Sequence, residues 1–417
     1  MTLALLSGSP VRTRPFSPWP DYDRAEEEAL LTVLHSREWG GYHPAVLELE
    51  RAFAEMHQVP HAVACANGTI ALEVALRAAG IGLGDEVIVP PFTFVASASA
   101  VLLCQAVPVF ADIDPATLNL SPAAAEAAIT PRTRAIIAVH FGGHPADMTA
   151  FRDIAQRHDL KLIEDAAHAH GARWLDKPVG GWGDAGTFSF QGFKLMTAGE
   201  GGMIVTRSAE IAAYCWSYCN QGRRRGGGWF EHVRLGTNYR ITGFQAAVLG
   251  AQLIKLSRHT ETRAANVAYF RKRLHEFSGL ASAADDPRAS HNPHYLLTLR
   301  YHPEHFEGIS RDRAVEALQA EGIPVKRTYP YPLYRNPLFR KESGLLARYT
   351  DWRPSQDYAT LNLPESERVC RDGIWLNHQV FLGDEKDVDD IILAVEKLQR
   401  HAGSLHAAKG AALMESK

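Results

Sequence analysis

The first residue whose type and setting could do chemistry is Lys194. It is the one basic residue in FSFQGFKLMTAGEGGMIVT (188–206), a run of aromatic, small and apolar residues interrupted by glycines. Apolar surroundings lower the pKa of an amine, and a lysine acting as a nucleophile or as the base in a Schiff-base reaction needs a lowered pKa. The competing interpretation is a lysine at a strand end whose amine reaches solvent along its apolar stem.

A second candidate is Asp165, which ends the predicted buried strand LKLIED (160–165) and is followed by His168. Ligands of open α/β sheets bind at the carboxyl ends of the strands. A buried carboxylate needs a cationic or N–H partner, so a structural ion pair is one alternative. A metal site made by Glu164, Asp165, His168 and His170 is another, although consecutive side chains point in different directions.

A third stretch, ANGTIAL (66–72), predicts a strand that leads into a helix through Asn67, Gly68 and Thr69. The backbone N–H groups at a helix N-terminus, beside a threonine hydroxyl, suit a phosphate. An ordinary N-cap and turn is the alternative. The fourth stretch, NQGRRRGGGWFEHVRLGTNYR (220–240), is a predicted loop whose Arg223 could bind a carboxylate or a diphosphate, or could be a solvated basic side chain.

Together the first three stretches indicate one cofactor. Pyridoxal phosphate requires a site for its phosphate, an anion that keeps its pyridine nitrogen protonated, and a lysine that carries it covalently. The run GWGDAG (181–186) matches G-x-G-x-x-G in letters, but it precedes a strand instead of opening a helix, so it does not predict a dinucleotide site. No sequence of the phosphate-loop type that binds nucleoside triphosphates is present.

The elements that must position these residues follow an alternating pattern. Between residues 46 and 206, strand-like runs such as DEVIVP (85–90) and RAIIAVH (134–140) alternate with helical runs, which predicts a largely parallel sheet covered on both faces. GTFSF and GGMIVT are predicted as further strands that form an antiparallel edge, and IWLNHQVF (374–381) is predicted as a strand near the C-terminus. We predict an N-terminal arm (1–45), a large domain (46–259), a smaller C-terminal α/β domain (260–403) and a tail (404–417).

Composition narrows the class of protein. The 417 residues carry a net charge of −3, which does not favour nucleic acid or an anionic membrane as a partner. No apolar run is long enough for a transmembrane helix, and the five cysteines form no C-x-x-C pair. These features predict a cytoplasmic protein with reduced cysteines and no metal site.

The residue order within these motifs also indicates a protein family. The segments IEDAAHAHGA, GTFSFQGFKLMTAGEGGMIVT and LGTNYRITGFQAA closely resemble the DegT/DnrJ/EryC1/StrS family of sugar aminotransferases, over about residues 6 to 400. The resemblance implies the α/β fold of fold-type I pyridoxal-phosphate enzymes, with a large, mixed but mostly parallel sheet domain and a smaller C-terminal α/β domain. It also implies a homodimer with shared active sites.

The resemblance also implies roles for residues. Lys194 matches the lysine that carries the cofactor and shuttles protons, Asp165 the aspartate at the pyridine nitrogen, and His168 a position near the phenolic oxygen. Further cofactor contacts are implied for Gly68, Thr69, Phe94, Ser189, Gln191 and, from the neighbouring subunit, Asn238. Substrate contacts are expected at Arg223, Tyr239, Arg240 and His378.

The implied reaction is a ping-pong transfer of an amino group from L-glutamate or L-glutamine to a keto sugar or keto cyclitol. GGGWFEHVRLGTNYRITGFQAA and YPLYRNPLF resemble the glutamine-dependent keto-cyclitol (scyllo-inosose-like) branch, or its aminohydroxybenzoate-synthase relatives, more than the nucleotide-sugar branch. The stretch WLNHQVFLG (375–383) departs from the usual family pattern, which leaves the acceptor open. A sugar dehydratase or other lyase, and a catalytically silent partner subunit, are the alternative functions.

Overall fold

A seven-stranded sheet forms the centre of the computed structural model, which describes residues 2–340 and 354–414, the side chains beyond residue 405 excepted. The strands of this sheet are β1 (His61–Cys65), β2 (Glu86–Val89), β3 (Val107–Phe110), β4 (Thr133–Val139), β5 (Lys161–Asp165), β8 (Ala185–Ser189) and β9 (Gly202–Thr206). Their order is β1-β9-β8-β5-β4-β2-β3. A short hairpin of β6 (Arg173–Trp174) and β7 (Lys177–Pro178) lies outside it.

The sheet is parallel from β8 through β5, β4 and β2 to β3, and antiparallel where β9 pairs with β8 and β1. The predicted mostly parallel sheet is therefore confirmed. One detail differs: β9 is antiparallel, as its sequence suggested, but it is not the edge of the sheet. The edge is β1, the first strand of the chain, which pairs with the outer side of β9. The local sequence of β9 carries no signal for this long-range pairing.

Helices cover both faces of this sheet. Those of the N-terminal two thirds are α1 (Arg24–Ser36), α2 (Pro44–Met56), α3 (Gly68–Ala78), α4 (Ala96–Leu103), α5 (Pro122–Ala127), α6 (Met148–Arg157), α7 (Ala209–Cys219) and α8 (Gly243–Leu274). In β2, Val87 and Val89 pack into the core under α3 and α4, whereas Ile88 packs into the core under α5 and α6. Burial on both faces explains why the strand reads as a continuous apolar run.

A second, antiparallel sheet follows, in the order β10-β11-β13-β12. Its strands are β10 (Leu280–Ser282), β11 (Leu296–Tyr301), β12 (Lys326–Arg327) and β13 (Gly373–Asn377). The accompanying helices are α9 (Arg311–Ala320), α10 (Pro364–Asp372) and α11 (Glu385–Met414), the last with a non-helical residue at His401. Side chains of α9 and α11 form one core with this sheet and with the C-terminal part of α8.

Two segments connect the cores. The 32-residue helix α8 begins with a capping box at Thr242 and runs past the boundary predicted after residue 259. The N-terminal segment reaches the second core, because Leu3 is fully buried there and Arg12 lies 2.7 Å from both Asp387 and Asp390. The predicted domain limits remain a prediction.

One predicted strand is only partly correct. IWLNHQVF (374–381) was expected to be extended throughout, but β13 ends at Asn377 and residues His378–Phe381 form a 3-10 turn. The turn follows from tertiary contacts, since the backbone N–H of His378 donates to the Tyr295 carbonyl and its Nε2–H donates to the Phe193 carbonyl at 3.1 Å. These contacts dock the end of β13 against the loop that carries Lys194.

The five cysteines are all buried and unpaired. Within the described residues, none of the helices combines the length and the hydropathy that a membrane span requires.

Candidate active site

The largest set of predicted site residues surrounds one cavity of about 730 Å³, here called the central cavity. It opens where β4, β5 and β8 end at Val139, Asp165 and Ser189, beside the N-terminus of α3 and against the end of β13. Predicted residues on its wall are Gly68, Thr69, Phe94, Asp165, His168, Ser189, Gln191, Lys194 and His378. This is the strand-end location that the parallel sheet predicts for a ligand.

Lys194 lies in a turn that follows β8, and its backbone N–H donates to the Gln191 carbonyl at 2.8 Å. Its Nζ lies 4.6 Å from the centre of the Tyr295 ring and, in the part of the chain that is described, makes no hydrogen bond or ion pair. Burial lowers the pKa of Lys194 to about 8, and the nearby charge of Asp165 acts in the opposite direction. An amine with this pKa is half neutral at about pH 8, where an ordinary lysine amine is almost wholly protonated.

Asp165 is held by two donors: Ser97 Oγ at 2.8 Å from Oδ2 and the Ala167 N–H at 3.2 Å from Oδ1. The Thr93 hydroxyl lies 3.1 Å from Ser97 Oγ and extends the chain of hydroxyls. Burial raises the pKa of Asp165, while these hydrogen bonds and Lys194 oppose the shift. A cation in the cavity would further stabilise the ionised carboxylate.

The metal interpretation of this stretch does not match the geometry. Glu164 points to the other side of β5, where Nε2 of His140 lies 3.2 Å away and the N–H groups of Gly180, Trp182 and Gly183 donate to its carboxylate at 2.6 to 2.8 Å. No group of three or more side chains suited to a metal ion occurs in residues 2–340 and 354–414. Adjacent carboxylates on opposite faces cannot share one ion.

The N-terminus of α3 forms a separate part of the cavity wall. Asn67 is its N-cap, with its side-chain oxygen accepting from the Ile70 N–H at 3.0 Å. The N–H groups of Gly68 and Thr69 belong to the first helical turn, which has no intrahelical acceptor. A Cβ at Gly68 would lie 2.6 Å from Cβ of Ser189, so only glycine lets the helix start this close to β8. The result is a site for an anion beside two hydroxyls.

Aromatic rings fix His168 and the remaining wall. The His168 ring lies 4.4 Å from the Tyr295 ring, and its Nδ1 accepts from the Gly142 N–H at 3.4 Å. Burial, together with Lys194, holds the pKa of His168 well below its ordinary value, so the ring is a neutral Nε2–H donor. Phe94 lines the cavity with 57% of its surface exposed, and is thus available to contact a ligand.

His378 lies on the same wall, where it was expected. Its ring makes an edge contact with Trp19 at 4.5 Å and lies 5.8 Å from Tyr295. Nδ1 of His378 is buried and has no hydrogen-bond partner among the described residues. Burial lowers the pKa of His378 to about 3, so the ring is neutral near neutral pH.

Four predicted residues do not reach the central cavity of their own chain. Arg223 and Arg240 line a separate cavity of about 360 Å³, where the Arg223 guanidinium lies over the Trp229 ring at 4.3 Å. Asn238 is exposed and bridges to Asn220, and Tyr239 packs beside Tyr218. Within one chain these four residues belong to the 220–240 loop and lie on a surface outside the central cavity.

The sequence analysis missed several residues of the central cavity or its support: Thr93, Ser97, Tyr295, Lys326, Tyr329 and Trp375. Thr93 and Ser97 could have been predicted, because they are two hydroxyl residues four positions apart within a mostly apolar run. The others come from the second sheet and its loops, and nothing in their local sequence indicates that the two sheets meet at this point.

Comparison with known proteins identifies the family. Residues 20–396 match the family model of the DegT/DnrJ/EryC1/StrS aminotransferases. An L-glutamine:2-deoxy-scyllo-inosose aminotransferase of Streptoalloteichus tenebrarius is 40% identical over 422 residues, which cover 97% of this chain and 99% of that protein.

Two solved structures extend the comparison. The crystal structure of 3-amino-5-hydroxybenzoic acid synthase superposes with a TM-score of 0.82 at 35% identity, covering 93% of this chain and all of the other. DesI, in the presence of its TDP-sugar product, gives a TM-score of 0.83 at 32% identity, covering 98% and 99%. The chain belongs to the DegT/DnrJ/EryC1/StrS aminotransferase family, and the predicted family, fold and aminotransferase function are confirmed.

Proposed function

We propose that the central cavity binds pyridoxal phosphate and that the chain uses it to transfer an amino group from L-glutamine or L-glutamate to a keto cyclitol. The observation that carries this proposal is the convergence of Lys194, Asp165 and the N-terminus of α3 on one cavity. These are three chemically different groups from three distant parts of the sequence, and the cofactor requires all three.

The residues present fit the cofactor. The start of α3, which the missing Cβ at Gly68 lets approach Ser189, suits its phosphate. Asp165 supplies an anion, and burial raises the pKa of its carboxyl group. A protonated pyridine nitrogen beside it would stabilise the ionised form. Phe94 has an exposed face for ring contact. When bound, pyridoxal phosphate supplies an electron-withdrawing ring that weakens the bond between the donor's α-carbon and its hydrogen.

Each residue then has a distinct task. The Ser97 hydroxyl fixes the orientation of the Asp165 carboxylate, which would hold a proton on the pyridine nitrogen of the bound cofactor. The amine of Lys194, with a pKa of about 8, accepts a proton from the donor's α-carbon and later returns it. His168 is neutral and held by Gly142 and Tyr295, and its Nε2–H would be available to the phenolic oxygen of the bound cofactor. Gln191 and Thr69 complete the polar wall.

The donor and the acceptor are inferred from the relatives. The Streptoalloteichus protein is named for L-glutamine and a keto cyclitol, and DesI for a sugar linked to a nucleotide. The higher identity lies with the former, which favours a keto cyclitol as the acceptor. Asn377 lines the cavity and provides a polar side chain for its hydroxyls. Donor and acceptor would use the cavity in turn, which predicts ping-pong kinetics.

We also propose that two chains share their active sites. Large apolar side chains stand exposed near the 220–240 loop, among them Phe230 at 86% and Leu235 at 87%. A surface of this kind indicates a protein partner, and a second copy of the chain is the usual one. Asn238, which does not reach the central cavity of its own chain, would then reach that of the neighbour.

The acceptor class is tested by product analysis. The enzyme loaded with pyridoxal phosphate is incubated with L-glutamine and, in separate reactions, a 2-deoxy-scyllo-inosose-type keto cyclitol and a nucleotide-linked keto sugar, and the amine products are identified by mass spectrometry. We expect amination of the cyclitol alone. Amination of the nucleotide sugar alone would overturn the proposed acceptor class.

A further inference from the structure

The central cavity contains four basic side chains among the described residues: Lys194, Lys326, His168 and His378. Burial lowers the pKa of both histidines, that of His378 to about 3, so neither carries charge near neutral pH. Lys194 is assigned to the cofactor. No arginine of residues 2–340 and 354–414 lines this cavity. Lys326 is therefore the remaining described candidate for binding an anionic group of a substrate.

The position of Lys326 on the second sheet directs it into the cavity. It pairs with Trp375 in the register of β12 and β13, and Trp375 itself lines the cavity. Its Nζ lies 6.0 Å from the centre of the Phe193 ring. Side chains of paired residues share one face of a sheet, so Lys326 and Trp375 extend the same wall.

The neighbouring residue shows that this orientation is distinct. Arg327 pairs with Ile374, whose side chain lies in the core on the other face. The Arg327 guanidinium lies 3.2 Å from Asp312 and 3.6 Å from Glu316 of α9. The amine of Lys326, in contrast, makes no ion pair or hydrogen bond within the described part of the chain. The charge of Arg327 is thus neutralised by carboxylates of α9 on one face of the sheet. The charge of Lys326 on the other face is available to a ligand.

We propose that Lys326 binds the carboxylate of the amino donor and acts as a donor-binding residue. This inference rests on the proposed function, in which one cavity accepts a charged donor and a neutral cyclitol in turn. The donor carries an α-carboxylate, for which an ammonium group is a matched partner. The cyclitol carries hydroxyls and a ketone but no carboxylate, and it has no need of that charge.

The flexibility of the side chain suits this double use. Lys326 is exposed on a two-residue edge strand, and a lysine ammonium is a strongly hydrated charge on a flexible stem. It can engage the donor's carboxylate and return to water when the cyclitol occupies the cavity. The contribution of Lys326 should therefore fall on the donor half-reaction alone.

The test uses the holoenzyme and three variants: Lys326→Gln, Lys326→Arg and the matched control Arg327→Gln. Each half-reaction is followed separately by the cofactor absorbance, with L-glutamine alone and then with the keto cyclitol alone. We expect Lys326→Gln to weaken the apparent affinity for L-glutamine by about tenfold, as loss of a charge-assisted hydrogen bond would. The acceptor half-reaction should be unchanged, Lys326→Arg should largely restore the donor affinity, and Arg327→Gln should behave as wild type.

A binding measurement separates this inference from the proposed function. Glutaramate, which is L-glutamine without its α-amino group, binds through its carboxylate but cannot donate an amine; glutaramide is its neutral counterpart. Calorimetry should show that Lys326→Gln weakens glutaramate by about tenfold and leaves glutaramide unchanged. Equal glutaramate affinity in wild type and Lys326→Gln would overturn the role of Lys326. A wild type that binds glutaramate but responds spectroscopically to neither L-glutamine nor L-glutamate would overturn the proposed function instead.

Discussion

At the scale of single residues, Lys194 and Asp165 adjust each other's protonation. Burial disfavours the charge on both, so it lowers the pKa of the lysine and raises that of the aspartate. Their mutual attraction opposes both shifts. The balance leaves a lysine that can be neutral at slightly alkaline pH next to a carboxylate that a cation can stabilise, and this pairing suits proton transfer at a cofactor.

This balance predicts the pH dependence of Lys194 reactivity. In the cofactor-free protein, the rate at which a limiting amine-reactive reagent labels Lys194 should rise with pH through an inflection at about 8, because the neutral amine is the nucleophile. Asp165→Asn removes the negative charge that raises this pKa, so the inflection should move to lower pH. Peptide mass spectrometry of quenched samples gives the rates.

A lysine-containing model peptide in the same mixture serves as the control, since its amine has the usual pKa of about 10.4. An inflection for Lys194 that coincides with that of the peptide would contradict the burial argument. A shift to higher pH in Asp165→Asn would contradict the sign of the interaction.

At the scale of elements, the close approach of α3 to β8 creates the anion site. The helix can begin beside Ser189 only because residue 68 lacks a Cβ, which would lie 2.6 Å from Cβ of Ser189. Either the helix start or the end of β8 must move when that space is filled. The geometry of the N–H groups at the helix start would change with it, and phosphate binding depends on that geometry.

Gly68→Ala should therefore weaken pyridoxal phosphate binding by about tenfold or more, because a displaced helix N-terminus loses hydrogen bonds to a charged group. Titration of the cofactor-free protein with pyridoxal phosphate, followed by absorbance, gives the dissociation constant. Gly82→Ala is the matched control, since a Cβ at Gly82 meets nothing within 4 Å. Equal affinity in Gly68→Ala and wild type would show that this approach is not needed for binding.

Prediction from sequence succeeded where the signal is local. The strand ending at Asp165, the helix that Asn67 caps, and the loop that carries Lys194 are each defined by a few adjacent residues, and the structure places all three at one cavity. The family motifs extended the local signal to the whole fold. Even the departure at His378 was a useful indication, because the residue lies on the cavity wall.

Prediction failed where the arrangement depends on distant segments. The pairing of β1 outside β9 joins residues about 140 positions apart, and no turn or period in either strand encodes it. Tyr295, Lys326 and Trp375 belong to the site only because the second sheet is placed against the first. The strand expected over residues 374–381 ends early because His378 bonds to Phe193 and Tyr295, both far away in the sequence.

At the scale of the whole molecule, the proposed dimer explains residues that a single chain leaves outside its site. Asn238 is exposed, and the loop around it carries exposed apolar side chains such as Phe230 and Leu235. If this surface meets a second copy, Asn238 of one chain and Lys194 of the other belong to one active site. The two residues can then be separated by mixing chains.

Shared sites predict complementation between two inactive variants. Lys194→Ala and Asn238→Ala should each have little activity as homodimers, but subunits exchanged between them should regain about a quarter of the wild-type rate, because half of the dimers are mixed and each mixed dimer contains one intact site. Light scattering confirms the dimeric mass, and differently tagged chains confirm the exchange. Mixed dimers without regained activity would show that Asn238 does not act across the interface.

The most direct measurement of the central claim is the absorbance of the enzyme loaded with pyridoxal phosphate, recorded before and after addition of L-glutamine without any acceptor. We predict that wild type shows the visible band of the lysine-bound cofactor and that L-glutamine removes it, with partial recovery when a keto cyclitol is added. Lys194→Ala should lack that band. A wild type without the band, or one whose band L-glutamine and L-glutamate both leave unchanged, would contradict the assignment of Lys194 and of the amino-transfer reaction to this cavity.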